Sequence, residues 1–203
     1  MLKFKKFVTA GAALLITSQA HAAEFVDQNQ PNNPDYMAGF SQTDLAQSFQ
    51  QSSSNISGAG IFLQSGIGSI DDVTISLWDL LPNAFGASQL ATGSVLGTQG
   101  SWADVFWTPV AIVAGQTYFL AFGGNTSLGI SGDTSNPYAN GQTYANPGYG
   151  SFPTFDYTFR TFSSDSLGAV PEPSTWAFMI FGFGAIGGAM RRRRNVNVKV
   201  SYA

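Results

Sequence analysis

The chain contains no cysteine and one histidine, His21, among its 203 residues. Without cysteine no disulfide can form, so the fold has to be held by core packing alone. After His21 the chain contains neither cysteine nor histidine. It therefore lacks the ligands of zinc sites built on thiolate or imidazole, and the residues of Ser-His-Asp or Cys-His catalytic centres. We therefore expect no metal site, no cofactor and no enzyme of these classes.

Basic residues are also nearly absent from the middle of the chain. Between Ala23 and Met190 the only one is Arg160, which stands against twelve acidic residues and leaves a net charge of −11. A single arginine cannot neutralise a row of phosphate groups, so the sequence excludes nucleic-acid binding. We expect Arg160 to pair with an aspartate of the folded body.

Glutamate is missing from the whole stretch between Phe25 and Pro171. An enzyme that acts on glycosides would therefore have to use two aspartates. Asp104 and Asp156 are available, but no spacing singles them out as a pair. We expect that the protein is not an enzyme, and an aspartate-based glycoside-active enzyme is the least favoured function.

Glycine and aromatic residues are abundant, with 23 Gly, 17 Phe, 7 Tyr and 4 Trp, and 44% of the chain is apolar. This apolar share supports a packed core. Alternating or aromatic runs between Gly, Asn, Pro and Ser clusters predict strands at 45–51, 60–65, 72–79, 89–96, 104–113, 117–124, 127–131 and 156–162. Strands at this spacing predict an all-β fold, namely a single jelly-roll-like β-sandwich domain over residues 23–165.

The N-terminus has the three parts of a secretory signal. Basic "MLKFKK" precedes the eleven-residue apolar run "FVTAGAALLIT", and Ala20 and Ala22 form an A-x-A cleavage site. So short a run cannot cross the roughly 30 Å hydrocarbon core of a membrane. The pattern predicts a signal peptide over residues 1–22, which signal peptidase removes after Ala22 together with His21.

The C-terminal region joins a proline-rich triplet to an apolar run and a basic cluster. Pro171-Glu172-Pro173 precedes residues 174–190, a run of seventeen residues without charge, and four arginines follow at 191–194. Such a run is at the lower limit for a membrane-spanning helix, and arginines resist translocation. We predict a transmembrane helix over 174–190 as a transient anchor, with a short cytoplasmic tail at 195–203.

This order of features resembles the PEP-CTERM sorting signal of Gram-negative bacteria. The residues that carry the resemblance are Pro171, Glu172, Pro173, Trp176, Arg191, Arg192, Arg193 and Arg194. With the preceding spacer, the signal covers residues 166–194. The resemblance implies cleavage near the triplet by an exosortase, a membrane protease and transpeptidase. It also implies a final location at the cell surface or in an extracellular matrix rich in exopolysaccharide, as in biofilms.

The body has a resemblance of its own. The segments "LAQSF", "VTISLWD", "LATG" and "DVFWTPV", within residues 45–122, resemble β-sandwich domains of the choice-of-anchor group. The resemblance implies the sandwich architecture and an ancillary role at the cell surface, and it names no ligand. We therefore predict an exported structural protein of the surface or matrix.

The alternative function is a carbohydrate-binding module that recognises exopolysaccharide. Aromatic rings supply flat apolar faces for sugar rings, and the candidates are Trp78, Trp102, Trp107, Tyr138 and Tyr144. Trp78 is the best candidate for exposure because it faces away from the apolar side of its predicted strand. The competing interpretation is that these rings belong to the core, and rings clustered on one solvent-facing sheet would favour sugar binding.

Four aspartates at predicted turns have the oxygen ligands that calcium prefers: Asp71, Asp72, Asp79 and Asp133. No D-x-D-x-D-G loop is present, however, and aspartate also caps turns by accepting hydrogen bonds from the backbone. Turn capping is therefore the favoured interpretation.

Overall fold

A computed structural model describes residues 23–124, 127–165 and 173–192. The chain divides into two units. Residues 22–166 form the first unit, which we call the body, and the second contains residues 1–21 and 167–203. The described part of the body is built of β-strands, and the described part of the second unit is one helix.

The strands of the body follow one another with short connections. They are β1 (Glu24–Gln30), β2 (Asp35–Gly39), β3 (Leu45–Gln50), β4 (Asn55–Phe62), β5 (Ile70–Trp78), β6 (Gln89–Thr98), β7 (Trp102–Ala111), β8 (Thr117–Gly124), β9 (Gly129–Asp133), β10 (Thr143–Ala145), β11 (Gly150–Phe152), β12 (Asp156–Tyr157) and β13 (Phe159–Ser164).

These strands form three antiparallel sheets. The front sheet has the order β1-β13-β4-β7, the back sheet β11-β10-β3-β8-β5-β6, and the side sheet β12-β9-β2. In the front sheet the first strand pairs with the last, and β3, β4 and β5 alternate between the back and front sheets. The predicted jelly-roll topology itself is not shown by this strand order and stays a prediction.

Front and back sheets share one apolar core. In β5 the side chains of Val73, Ile75 and Leu77 are fully buried, while the residues between them are half-buried. Across the sandwich, the ring of Phe49 in the back sheet lies 6.4 Å from the ring of Phe159 in the front sheet. Burying such a ring stabilises the fold by roughly 1.5–3 kcal/mol. The predicted all-β sandwich is confirmed.

The strand boundaries differ from the predicted ones in instructive places. The predicted strand 117–124 coincides with β8, and β4 begins at 55 rather than at 60. Strands β1, β2, β10 and β11 lie outside the predicted runs. Strand β1 is polar, with the sequence EFVDQNQ, and the other three have five residues or fewer. Hydrophobic alternation does not show in such segments.

Gln47 of β3 is a fully buried amide whose hydrogen-bonding groups are all used. Its Nε2 donates to Asp156 Oδ1 at 2.9 Å and to the Ser48 carbonyl at 3.2 Å. Its Oε1 accepts from the Tyr157 N–H at 3.0 Å and from the Thr143 hydroxyl at 3.1 Å. Because a buried polar group is costly unless it is bonded, this network fixes β3 against β10 and β12.

Asp27 holds the turn between β3 and β4 against β1. Its carboxylate accepts hydrogen bonds from the N–H groups of Ser52 at 2.7 Å and Ser53 at 2.8 Å, and from Gln28 Nε2 at 2.6 Å. Burial alone would raise the pKa of Asp27, but these hydrogen bonds bring it below the ordinary value of 3.8. The folded chain therefore favours the charged form of this side chain.

Both ends of the body lie at one edge of the front sheet. Strand β1 pairs with β13 so that Glu24 stands opposite Ser164. The Asp165 N–H donates to the Ala23 carbonyl at 3.3 Å. The amide of Asn55 bonds both backbone groups of Ser164, at 3.1 and 3.0 Å. Residues 23 and 165, at the two limits of the described body, are therefore neighbours.

In the second unit, helix α1 spans Pro173–Arg192. Proline suits the first helical position because its missing N–H would have no partner there. No helix in the described part of the chain is both long and apolar enough to cross a membrane. The predicted transmembrane span at 174–190 is not shown by this finding and stays a prediction. Its polar first residues and four glycines lower the mean hydropathy of the uncharged run.

We predict that Gln47→Leu lowers the free energy of unfolding by about 3 kcal/mol or more, because it leaves the Tyr157 N–H and Asp156 Oδ1 buried without their partner. Urea unfolding of the full chain, followed by tryptophan fluorescence, measures the change. Gln50→Leu on the same strand is the control. It removes one partly buried bond, to Thr117 Oγ1 at 3.2 Å, and should cost about 1 kcal/mol. Equal losses of unfolding free energy in both variants would contradict the stabilising role of the Gln47 network.

We also predict a pH-dependent effect of Asp27→Asn. Because the pKa of Asp27 is lowered on folding, its contribution is present above pH 3.8 and is lost as the pH falls through the folded value. At neutral pH the free energy of unfolding of the variant should be lower than that of the wild type by about 1 kcal/mol, a modest loss because solvent screens part of the interaction. This difference in unfolding free energy should disappear as the pH falls below 3.8. The exposed Asp165→Asn is the control, and a gap that persists in acid would refute the assignment.

Candidate functional site

The predicted sorting residues fall partly within the described structure. Pro173 begins α1, and Trp176, Arg191 and Arg192 belong to this helix. Pro171, Glu172, Arg193 and Arg194 lie outside the described residues, as do Ala20 and Ala22 of the predicted signal cleavage site. The helix therefore starts inside the proline-rich triplet and ends inside the arginine cluster.

The middle of α1 exposes apolar side chains. Ile180, Phe181 and Phe183 are each at least 70% exposed, and Ile186 is 59% exposed. Residues 180, 181 and 183 lie at different angles around a helix with 3.6 residues per turn. The exposed surface is therefore not confined to one stripe, and it is followed by the exposed cation Arg191.

Two of the candidate sugar-binding rings lie on the outward side of the back sheet. Trp78 of β5 stands opposite Phe119 of β8, and the Phe119 ring contacts that of Tyr144 edge-on at 5.8 Å. All three side chains are half-buried. The Trp78 Nε1 is buried and has no hydrogen-bond partner among the described residues. Trp78 thus faces outward as its strand position predicts, but it is not an open platform.

Two other candidate rings are engaged in the structure of the body. Trp107 packs against the core, and its Nε1 donates to the Ile56 carbonyl at 3.1 Å. Tyr138 is 8% exposed, and its hydroxyl donates to Gln28 Oε1 at 3.0 Å. Burial raises the pKa of Tyr138. The Tyr138 ring is buried, and the Trp107 ring is half-buried.

The fifth candidate, Trp102, belongs to a group of side chains on the outward face of the front sheet. Strand β4 carries a glycine, Gly60, opposite both Asp104 of β7 and Arg160 of β13. Because no side chain stands between them, Arg160 Nε donates to Asp104 Oδ1 at 2.8 Å, and Nη2 bonds Oδ2. A Cβ on Gly60 would collide with the carboxylate. The expected ion pair of Arg160 is confirmed.

The guanidinium of Arg160 is also fixed by two aromatic rings. Its Cζ lies 4.2 Å from the ring centroid of Trp102 and 5.3 Å from that of Phe162. Such cation–π contacts orient the group without using its N–H donors. The side chains of Arg160 and Asp104 remain 25% and 22% exposed. The pair is thus held in place but can be reached from solvent.

A second outward glycine of β4, Gly58, lets two phenylalanine side chains of the neighbouring strands meet, as Gly60 does for the ion pair. Gly58 stands opposite Phe106 and Phe162, whose ring centroids approach to 4.9 Å. Phe162 is nearly buried, whereas Phe106 is 53% exposed. We call Trp102, Asp104, Phe106, Arg160 and Phe162 together the front-face cluster.

The front-face cluster was not identified as a group from the sequence, although Trp102, Asp104 and Arg160 were each considered separately. Trp102 is the one member among the candidate sugar-binding residues. Phe106, Phe162 and the pairing of Asp104 with Arg160 depend on the register of three strands. The available signal was the pair of glycines two residues apart in β4, because alternate residues of a strand share one face. Small outward residues on a central strand let the neighbouring side chains meet.

Of the four aspartates predicted at turns, Asp79 and Asp133 bond the backbone at strand ends, whereas Asp71 and Asp72 lie within β5. Asp79 accepts from the Ser88 N–H at 2.7 Å, and Asp133 accepts from the Ser135 N–H at 2.7 Å. Hydrogen bonds from the Ser135 hydroxyl and backbone lower the pKa of Asp133. In the described part of the chain, no three acidic or histidine side chains are grouped as a metal site requires.

The two aspartates considered for glycoside chemistry are both engaged. Asp104 is paired with Arg160. Asp156 is fully buried and accepts from Gln47 Nε2 and from the Tyr138 N–H at 3.0 Å. Burial raises the pKa of Asp156, although these hydrogen bonds lower it in part. The buried carboxylate supports the fold of the body.

Comparison with known proteins identifies the C-terminal region. Residues 169–194 match the family model of the PEP-CTERM protein-sorting motif. No curated protein and no solved structure matches the chain. The resemblance of residues 45–122 to choice-of-anchor domains is therefore not shown and stays a prediction. The chain carries a PEP-CTERM sorting motif at residues 169–194, which marks it as an exported protein that an exosortase sorts at the membrane.

Proposed function

We propose that this chain is a structural protein of the cell surface or extracellular matrix, delivered by signal peptidase and an exosortase-like protease or transpeptidase. The observation that carries the proposal is the sorting motif at residues 169–194. In this view the signal peptide is removed after Ala22, the chain is processed near Pro171, and the body remains in a matrix of biofilm type. We propose no enzymatic activity for it.

The chemistry of the triplet supports processing at this point. Two prolines remove backbone donors and disfavour helical conformation in the residue before each of them, and a non-helical backbone is what a protease needs for binding. Glu172 is the single charged residue between Asp165 and Arg191. A complementary pocket would therefore recognise the triplet through this carboxylate.

The body is suited to processing at both ends. Strand β1 begins at Glu24, so cleavage after Ala22 removes no residue of the front sheet. The last strand ends at Ser164, before the matched motif begins at residue 169. The pairing of β1 with β13 holds residues 23 and 165 together. Both cleavages would therefore leave the fold of the body intact.

We predict that Glu172→Ala blocks processing but not export. The chain that has lost its signal peptide but keeps its C-terminal helix should then accumulate in the membrane fraction, because the triplet has lost its one charge. Immunoblots of membrane, surface and medium fractions with an antibody to the body measure the distribution. Asp165→Ala, which removes the preceding acidic residue outside the matched motif, is the control and should behave like the wild type. Normal maturation of Glu172→Ala would contradict exosortase recognition of the triplet.

A second candidate function is the binding of extracellular polysaccharide, and the front-face cluster favours it. Phe106 offers a half-exposed ring. Beside it, Asp104 and Arg160 form a fixed and reachable polar pair. Sugars present apolar C–H faces and hydroxyl groups together, and sites with an apolar surface and a few placed polar groups suit them.

The second function predicts that the full chain, kept in mild detergent, sediments with the exopolysaccharide of the producing cells. Phe106→Ala should reduce the bound fraction at least fivefold, because it removes the most exposed ring of the cluster. Phe85→Ala, at a fully exposed phenylalanine outside the front sheet, should leave it unchanged. Absence of sedimentation with the polymer would leave the structural role as the function of the body.

A further inference from the structure

We propose that the front-face cluster binds neutral polysaccharide chains and discriminates against acidic ones, and that the Asp104–Arg160 pair sets this selectivity. The proposal rests on the second candidate function above. It follows from the charge, the hydrogen-bonding groups and the area of this face.

The charge of the body argues against an acidic polymer. Arg160 is the only basic residue between Ala23 and Met190, where twelve residues are acidic. Its guanidinium is bonded through two nitrogens to the carboxylate of Asp104. The one positive charge of the face is therefore already neutralised. A chain of uronic acids would meet a surface with no free cation and an overall negative field, which low salt strengthens.

The hydrogen-bonding groups of the pair fit hydroxyls. Arginine has five N–H donors, and the bonds to Asp104 use two of them. Each carboxylate oxygen of Asp104 keeps accepting capacity beyond its bond to Arg160. A sugar hydroxyl both donates and accepts, so neighbouring hydroxyls can bond to the guanidinium and the carboxylate together. Acidic sugars bring a carboxylate that accepts but cannot donate, and it would be repelled by Asp104.

The apolar part of the face adjoins this pair. Trp102, Asp104 and Phe106 are alternate residues of β7 and point to the same side. They extend over roughly 13 Å at the usual rise of a strand, which accommodates more than one sugar ring. On the far side of Phe162, Val26 of β1 stands in register and is 45% exposed. A polymer lying along β7 would contact the Trp102 ring, the Asp104–Arg160 ion pair and the Phe106 ring in turn.

The area of the face argues against a second copy of the chain as its occupant. Among the described residues of the outward front face, the large apolar side chains that are exposed are Val26 and Phe106, at 45% and 53%. A stable protein interface buries roughly 800 Å² on each partner around an apolar centre. Two half-exposed side chains fall well short of that centre. Sugar binding needs much less area.

The test is affinity electrophoresis of residues 23–203 in mild detergent, with Arg191, Arg192, Arg193, Arg194 and Lys199 each replaced by Gln so that Arg160 is the one basic residue. The gels contain hydroxyethylcellulose or dextran as neutral polymers, and alginate or polygalacturonate as acidic ones. At low salt we expect retardation by at least one neutral polymer and by neither acidic polymer. Phe106→Ala should weaken the retardation at least fivefold, and Phe85→Ala should preserve it.

Asp104→Asn separates selectivity from binding as such. It releases the charge of Arg160 from its partner, so retardation by the acidic polymers should appear and should vanish in high salt. Thermal melts of each variant, followed by circular dichroism, establish that the body is folded. Because Phe106 is half-exposed, its replacement should leave the body folded, although it removes the ring contact with Phe162.

Three results would overturn the proposal. Equal or stronger retardation of the wild type by acidic polymers would remove the selectivity while leaving polysaccharide binding in place. Retardation by no polymer would remove the second candidate function and this proposal together, without affecting the sorting of the chain. Sedimentation velocity showing a dimer that Phe106→Ala dissociates would assign the face to self-association.

Discussion

The body depends on the position of β13 between β1 and β4. This last strand contributes Phe159 to the core and Arg160 to the outward face, because adjacent residues of a strand point to opposite sides. Its pairing with β1 places residues 23 and 165 next to each other. The core, the ion pair and the position of both ends therefore all depend on β13. A chain processed at both ends retains every one of these contacts.

A fold without disulfides needs other means to fix its strands, and this body uses buried polar side chains. Gln47 ties β3 to β10 and β12 through three hydrogen bonds, and a fourth stays within β3. Gln51 plays a similar part at the other end of the sandwich, where its Nε2 donates to Ser163 at 2.8 Å and its Oε1 accepts from Thr161 at 2.6 Å. Such networks are worth little in water but specify one register when buried.

Hydrophobic alternation was sufficient to predict the all-β class and strand β8, since Tyr118, Leu120 and Phe122 point into the core. It was insufficient for β1, whose place is set by pairing with β13 rather than by its own apolar residues. The front-face cluster could not be predicted for a related reason. It joins residues of β7 and β13 across a glycine of β4, and a one-residue change of register would separate them.

The sorting motif was predictable because its parts are contiguous in the chain and need no tertiary contact to be recognised. The membrane span predicted from the uncharged run 174–190 is not shown, because a count of uncharged residues ignores the low hydropathy of glycine, serine and threonine. The exposure of the aromatic side chains was predicted only in part, because, like the place of β1, it depends on contacts between strands. Composition cannot tell Tyr138, which is buried, from Phe106, which is half-exposed.

The central claim is that an exosortase processes this chain at its PEP-CTERM motif. Intact-mass and C-terminal peptide mass spectrometry of the protein recovered from the cell surface tests it most directly. The account predicts a mature chain that begins at Ala23 and ends close to Pro171, without the helix 173–192 and without the arginines. Recovery of surface protein that still contains Arg191–Arg194 would contradict it.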